Sequence, residues 1–431
     1  MFFSEEIFTE GSSDAAFRRV LLEILKAPKV EAVTTGAEKV RDSDTTEQLA
    51  YRFEISNPRH RIVANEVFSL NLPVAVARFV WMISGNNRLA DIAFYEPRVR
   101  QFTDDEIIVP GSSYGARIRQ AHPGIDQLQG VIARLKEDKN SRRAAIAIYQ
   151  PTDTVRNSND IPCAFGMFFH IRNEKLHTQV IMRSNNATTL LPFNIFEFSL
   201  LAEVVAAECN VDMAQLSHYA ASMHVYEKMR ELSEKIVSAG GETKSVEMPQ
   251  MPSDPAPLDE IRRLVHFEAD MRHRSEAISD GTIEEEVEKI RAEFSTYWQQ
   301  MAFLLLATVV NQRCSKEGAN SLKAAMDPNL AKLVKWSSSG ESEGTFESSD
   351  LPLLDVMQKT DNIVTLHRTK TGASFRQRAV EYEQAAGERF SADELLEMQE
   401  RIVSRLAARG LEVEVSKSDF AAILADVRDK K

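Results

Sequence analysis

Three cysteines in 431 residues, at 163, 209 and 314, are too few and too widely spaced for a disulfide framework or a zinc site. They suit a reducing cytoplasm. A long hydrophobic run is missing as well. The longest, 301–310, is about half a membrane span and is flanked by Gln299-Gln300 and Asn311-Gln312-Arg313, so it reads as a buried core helix. The first residues, Met1-Phe2-Phe3-Ser4-Glu5-Glu6, hold no basic segment followed by an apolar one, and no signal peptide is expected. Positive charge is in short supply: the formal net charge of −12 argues against a general polyanion binder, and direct nucleic-acid binding is not expected. A pocket for one phosphate needs only a few arginines and is not excluded. What remains, 43% hydrophobic and 27% charged residues, is ordinary for a globular protein of one or two domains.

Hydrophobic spacing predicts a helix over 13–27, carried by Ala16-Phe17, Val20-Leu21 and Ile24-Leu25. A second helix, Leu72–Ile83, should end at Gly85-Asn86-Asn87. Residues 51–67 read as strand, from Tyr51, Phe53 and Ile55 alternating with polar neighbours. A short strand is expected over 144–149, and 165–171 with 176–182 form a hairpin around Asn173-Glu174. A strongly apolar helix over 195–209 follows Pro192. Mixed strands with a few long helices indicate an α+β body.

Four prolines within 248–257 form a stiff, extended linker. Beyond it the pattern is helical. Thr282 and Glu285 read as a capping box opening a helix that carries Ile283, Val287, Ile290, Phe294, Tyr297 and Met301 on one face. Ser391 and Glu394 would cap another, bearing Leu395, Met398, Ile402 and Leu406, with a last short helix over 420–427. Residues 337–350 are polar and read as a loop. The expected organisation is a nucleotide-binding or catalytic body over 1–250 and a mostly α-helical extension over 251–431.

Four pieces of the body stand in a telling order. Cys163 lies in Ile161-Pro162-Cys163-Ala164-Phe165, followed by Met182-Arg183-Ser184, then Leu191-Pro192-Phe193-Asn194-Ile195, then Met223-His224-Val225-Tyr226. Alone, each piece is bland: a free cysteine is usually a small buried hydrophobe, and Pro-Phe-Asn is a turn signal. Together, in this order and at these intervals, they resemble the active site of the thymidylate synthase and pyrimidine nucleotide hydroxymethylase family. The resemblance covers residues 13–235.

That resemblance implies a mixed β-sheet with helices and a definite chemistry. A thiolate adding at C6 of a pyrimidine turns C5 into an enolate-like nucleophile, which requires a cysteine of lowered pKa with a guanidinium close by. Cys163 and Arg183 would fill these roles, with Tyr114, in Tyr114-Gly115 before Arg117 and Arg119, as a further catalytic residue. Arg142 and Arg143, which otherwise pass for a solvated basic turn with Lys136 and Lys139, would reach across a homodimer to the partner's nucleotide phosphate, and Ser184 would add a hydroxyl. Asn194 would read the base edge, its carboxamide matching N3–H and O4 of uracil. His224 and Tyr226 would hold the sugar 3′-hydroxyl. Asn186 stands where the family has a cofactor-binding aspartate. The implied reaction is methylation or hydroxymethylation at C5 of a pyrimidine, by Asn194 a uracil, nucleoside monophosphate, with 5,10-methylenetetrahydrofolate as one-carbon donor.

Other positions depart from the family. Counting back from Gly85 puts Arg78 where the family has a catalytic glutamate, with Asp91 and Glu96 as substitutes only if the backbone differs. Leu190 replaces a glycine beside the pterin, and Arg100 and Thr103 stand in place of two covering tryptophans. Two other functions therefore stay open: a nucleotide-binding relative without catalysis that acts through its helical part, and folate-independent chemistry at C5.

Overall fold

The computed structural model describes residues 7–31, 44–121, 124–239 and 244–336, and the backbone of 346 and 347. The elements expected over 391–427 lie outside these residues, as does nearly all of the polar stretch 337–350.

The chain enters with β1 (Phe8–Glu10), α1 (Ser13–Ile24), β2 (Lys29–Val30), β3 (Thr45–Ile55) and β4 (Phe68–Ser69). There follow α2 (Leu72–Ile83), α3 (Leu89–Ala93), α4 (Tyr114–Arg119), α5 (Gln127–Glu137) and β5 (Ala145–Ala147). The hairpin β6 (Ala164–Arg172) and β7 (Lys175–Met182) leads through β8 (Asn185–Asn186) to α6 (Leu191–Glu208), β9 (Asp212–Tyr226) and α7 (Arg230–Ser238). The last part is helical: α8 (Pro257–His273), α9 (Ile283–Glu293), α10 (Thr296–Arg313), α11 (Lys316–Ala325) and α12 (Pro328–Leu333), before a short β10 (Phe346–Glu347) paired with β4.

The principal sheet runs β1-β3-β9-β7-β6-β5, with β2 added to β3 and β8 to β9. It is mixed: β7 pairs β9 in parallel, while β3 with β9, β6 with β7 and β5 with β6 are antiparallel. The family fold expected from the sequence is the one observed. Asn173 and Glu174 both have positive φ, 53° and 57°, as a two-residue hairpin turn of right-handed twist requires. The strand expected over 51–67 instead starts at Thr45 and stops at Ile55, because the chain turns at Asn57-Pro58, where His60 N–H donates to Asn57 O at 3.0 Å and Pro58 has no N–H to give.

Side-chain caps fix several helix starts. Ser12, Asn71 and Asp126 accept from Ala15, Val74 and Gln129 N–H groups at 3.1–3.2 Å. The capping box expected at Thr282 lies one turn earlier. Thr282 Oγ1 is turned back onto Ser279, accepting from its N–H at 2.9 Å, and the single helix expected through Met301 is two. Phe294 is extended (φ −117°, ψ 149°), and Gln299 Nε2 caps its carbonyl at 2.8 Å.

The change of chain character near residue 250 is not a change of core. Lys244 and Met248 N–H groups donate to Ala64 and Arg59 carbonyls at 2.9 and 3.0 Å, so the proline-rich stretch is stitched along the body. Leu258 N–H, at the start of α8, donates to Glu208 Oε1 at the end of α6 (3.0 Å). α8 and α10 then pack on α2 and α6, and Leu264, Trp298, Met301 and Leu305 join one continuous hydrophobic core. Each such side chain contributes roughly 1.5–3 kcal/mol by leaving water. The described residues on both sides of 250 belong to one compact unit, so packing does not break at the boundary expected there. At the joint, Arg61 and Glu203 form a buried pair at 2.7 Å, with Met251 N–H donating to the same carboxylate at 3.0 Å. The run 301–310 is indeed interior, within α10. No helix among the described residues is long and apolar enough to cross a membrane.

Candidate functional site

The open end of the β6–β7 hairpin decides where the thiol sits. Ala164 pairs with Met182, so the residues just beyond, Cys163 and Arg183, are brought side by side, with Arg183 N–H donating to Cys163 O at 2.8 Å. The Arg183 guanidinium donates from Nε to Pro162 O (2.8 Å) and from Nη2 to Ile161 O (2.9 Å), and Nη2 lies 3.9 Å from Cys163 Sγ. An arginine so clamped holds its charge beside a half-buried sulfur. The other two thiols are pushed up by burial, Cys209 behind α6 and Cys314 beside Asp280.

A second anchor reaches the cysteine from upstream. The buried Asp160 carboxylate accepts from Gly111 N–H (2.7 Å), Ser112 N–H (2.6 Å) and Ser112 Oγ (2.5 Å), tying the loop before α4 to the segment that bears the thiol. Gly115 permits the next step: a Cβ there would stand 2.0 Å from Met82 O, so only glycine lets α4 cross α2 this closely. Tyr114 is thereby buried with its ring stacked on Phe198 at 5.6 Å, near enough to Cys163, Glu197, Arg78 and Asp160 to feel their charges. Burial holds its phenol well above the usual range.

Arg78 does occupy the inward face of α2, and two carboxylates meet it. Its Nε donates to Glu197 Oε1 at 2.5 Å and its Nη1 to Glu96 Oε2 at 3.0 Å, while the guanidinium carbon lies 4.9 Å from the centre of the Phe193 ring. Burial pushes the Glu197 carboxyl up, against the pull of Arg78. Glu197 went unread in the sequence, although a carboxylate inside the otherwise apolar start of α6 was a visible signal. Asp91 is engaged elsewhere, with Arg272 at 2.8 Å.

Asn194 lies one turn before Glu197, buried, and its Oδ1 accepts from Asn185 Nδ2 at 3.0 Å; Asn185 Oδ1 in turn lies 2.8 Å from Nε2 of the buried His218. Neither Asn185 nor His218 was singled out by the sequence. His224 and Tyr226 end β9 with rings edge to face at 5.0 Å. Burial, with Arg183 as a second cause, lowers His224 to about 4, so its imidazole is neutral. Ser184 is half-buried beside Arg183. Arg142 and Arg143 are exposed and make no ion pair among the described residues. They stand away from these groups, just before β5.

The cofactor side does not match the cradle implied by the family. Asn186 Oδ1 is spent on its own turn, accepting from Thr188 and Thr189 N–H at 3.1 Å each. Leu190 puts a half-buried side chain at the head of α6, Arg100 is exposed, and Thr103 Oγ1 donates to Ile108 O at 2.7 Å. These residues do not fit a pterin as the family's glycine and tryptophans would.

The mixed sheet, the thiol corner and the buried amide of Asn194 are the features of one class of α+β transferase. A family model described as thymidylate synthase matches residues 17–263, and the chain belongs to the thymidylate synthase family as a divergent member. A Methanosarcina mazei protein with a provisional thymidylate synthase name is 33% identical over 156 residues, 34% of this chain and 70% of that protein. The thymidylate synthase of Francisella tularensis subsp. holarctica is 30% identical over 173 residues, 36% of this chain and 62% of the relative. A deoxyuridylate hydroxymethyltransferase of Bacillus phage SP01 is 29% identical over 185 residues, 40% of this chain and 48% of the relative.

Proposed function

We propose that this protein binds a uracil nucleoside monophosphate and activates its C5 for one-carbon transfer, to methyl or hydroxymethyl, through a Cys163 adduct. The observation that carries the reading is the Arg183 guanidinium, fixed on two carbonyls with Nη2 3.9 Å from Cys163 Sγ. The thiolate sulfur bonds to C6, and the C5–C6 π pair moves to C5 and onto the 4-carbonyl oxygen. C5 then bonds a formaldehyde-level electrophile, whose carrier group afterwards leaves that carbon. The carbon takes water to become hydroxymethyl, or a hydride, which the one-carbon donor would have to supply as reductant, to become methyl. Loss of the C5 proton to a base and departure of sulfur from C6 restore the double bond. Glu197, tied to Arg78 and close to Tyr114, is the carboxyl we assign to that proton traffic. Asn194 faces the base, His224 and Tyr226 the 3′-hydroxyl.

Phosphate recognition is assigned to Ser184 of one subunit and to Arg142 and Arg143 of the second, in a homodimer. Phe165 and Phe168, 51% and 39% exposed on the outer face of β6, favour such pairing of sheets. Family membership supports methylenetetrahydrofolate as the donor, and no step here is drawn through it, given the ill-fitting cofactor side.

Intact-mass analysis with 5-fluoro-dUMP tests the reading, because fluorine at C5 blocks the final elimination. A protein–nucleotide adduct is expected that disappears in Cys163→Ser, with bound nucleotide protecting Cys163 from alkylation. No adduct with or without methylenetetrahydrofolate, together with a Cys163 no more reactive than Cys209, would leave a nucleotide-binding relative without chemistry.

A further inference from the structure

His218, Asn185 and Asn194 make a buried line of side chains from the middle of the sheet to α6. His218 is wholly buried on β9, between Phe53 of β3 and Val180 of β7, with its ring stacked on Phe53 at 5.0 Å. One ring nitrogen, Nε2, meets Asn185 Oδ1 at 2.8 Å; the other, Nδ1, is buried without a hydrogen-bond partner. Asn185 Nδ2 donates to Asn194 Oδ1 at 3.0 Å.

A carboxamide can turn by half a revolution with almost no change of shape, exchanging a donor for an acceptor. Joined in series, the two amides and the imidazole must turn together or break a bond. The ring is neutral, since burial keeps it from taking a second proton until about pH 3. It therefore carries one N–H. A proton on Nδ1 would be a buried donor with no acceptor, whereas a proton on Nε2 is satisfied by Asn185 Oδ1. The order that follows is Nε2–H to Asn185 Oδ1, then Asn185 Nδ2–H to Asn194 Oδ1. Asn194 is left with Nδ2–H and the second lone pair of Oδ1 for a ligand, in one fixed arrangement.

Uracil shows an acceptor, O4, beside a donor, N3–H. Cytosine shows a donor, the 4-amino group, beside an acceptor, N3. One flip of an asparagine matches one of these edges and opposes the other. We infer that His218 and Asn185 are positioning residues that lock the Asn194 carboxamide in a single flip, and that this lock sets the choice between a uracil and a cytosine nucleotide. The inference rests on the reading of Asn194 as the base-facing group. A buried amide with no such partner would adapt to either base by turning over.

Calorimetric titration of wild type, His218→Phe and Asn185→Leu with dUMP and with dCMP tests the lock. Phenylalanine keeps the stack on Phe53 while removing the donor. Wild type should prefer dUMP by about tenfold or more, and both variants should bring the two affinities within about threefold of each other. An unchanged preference in the folded variants, or no preference in wild type, overturns the lock. Binding of neither nucleotide by wild type would instead count against the proposed function. Where a variant fails to fold, ¹⁵N NMR of histidine-labelled wild type decides. The proton of His218 is expected on Nε2 at neutral pH, and a proton on Nδ1 or on both nitrogens overturns the inference.

Discussion

Two buried polar groups flank the thiol corner, and they are made of opposite materials. Asn194, Asn185 and His218 are neutral, each hydrogen-bonded to the next. Arg78, Glu197 and Glu96 are ionisable, one guanidinium between two carboxylates. The neutral group can discriminate by shape and hydrogen-bond polarity and stays indifferent to a proton. The ionic group holds an excess of acid over base in a dry place, where burial raises Glu197 while Arg78 opposes it. Under the proposed function, a site that both recognises a base and moves a proton gains from keeping these tasks apart, because a carboxyl that changes charge would also change what it recognises.

The strongest way to sharpen the contrast is Glu197→Gln set against Arg61→Met. The first should lower exchange of the C5 hydrogen of dUMP by about 10²–10⁴-fold, followed by loss of label from the base, with nucleotide affinity little changed. Arg61 and Glu203 form another buried arginine–carboxylate contact, at 2.7 Å, yet lie at the joint with the proline-rich stretch. Losing Arg61 should cost about 3–5 kcal/mol in urea unfolding and leave the rate per folded molecule unaltered. If Glu197→Gln weakened binding as much as rate, the division of labour would collapse.

Acid separates the groups differently. His218 and His224 are held to about 3 and about 4, against 6.5 in an unfolded chain. Below 6.5 the unfolded chain binds protons that the folded protein refuses. Their contribution is thus complete above pH 6.5 and is lost as pH falls, down to about 4 for His224 and about 3 for His218. Each should add a slope of about 1.4 kcal/mol per pH unit inside its window. Unfolding midpoints measured across this range should fall less steeply in His218→Phe; an identical slope would mean that the ring is not held neutral.

The smallest effect concerns the arginines that lie apart from both groups. Mixing Arg142→Ala with Cys163→Ala subunits should restore about a quarter of wild-type activity, as expected for random exchange in a dimer with sites shared between subunits. No recovery from folded, dimeric parents would place each site within one chain.

The residues of the thiol corner could be picked out from the sequence because they fall in short local strings. Leu72–Ile83 and the β6–β7 hairpin were equally plain, since period and turn residues agree there. What could not be read was anything set by contact between distant segments. Glu197 meets Arg78 only because α6 packs on α2, more than a hundred residues away in the chain, and His218 meets Asn185 only through the parallel register of β7, β8 and β9. A proline-rich stretch looked like a boundary because composition does not reveal that its N–H groups pair with residues 59–64.

The helix that carries Arg78 has a consequence for how the protein is made. α2 is apolar on nearly every side, and it is covered by α8 and α10, which leave the ribosome long after it. Until synthesis has passed Arg313, the half of the chain with every assigned residue has an open flank. The nascent protein must therefore keep a greasy surface from its neighbours while it waits, and its window for aggregation is set by translation speed more than by final stability.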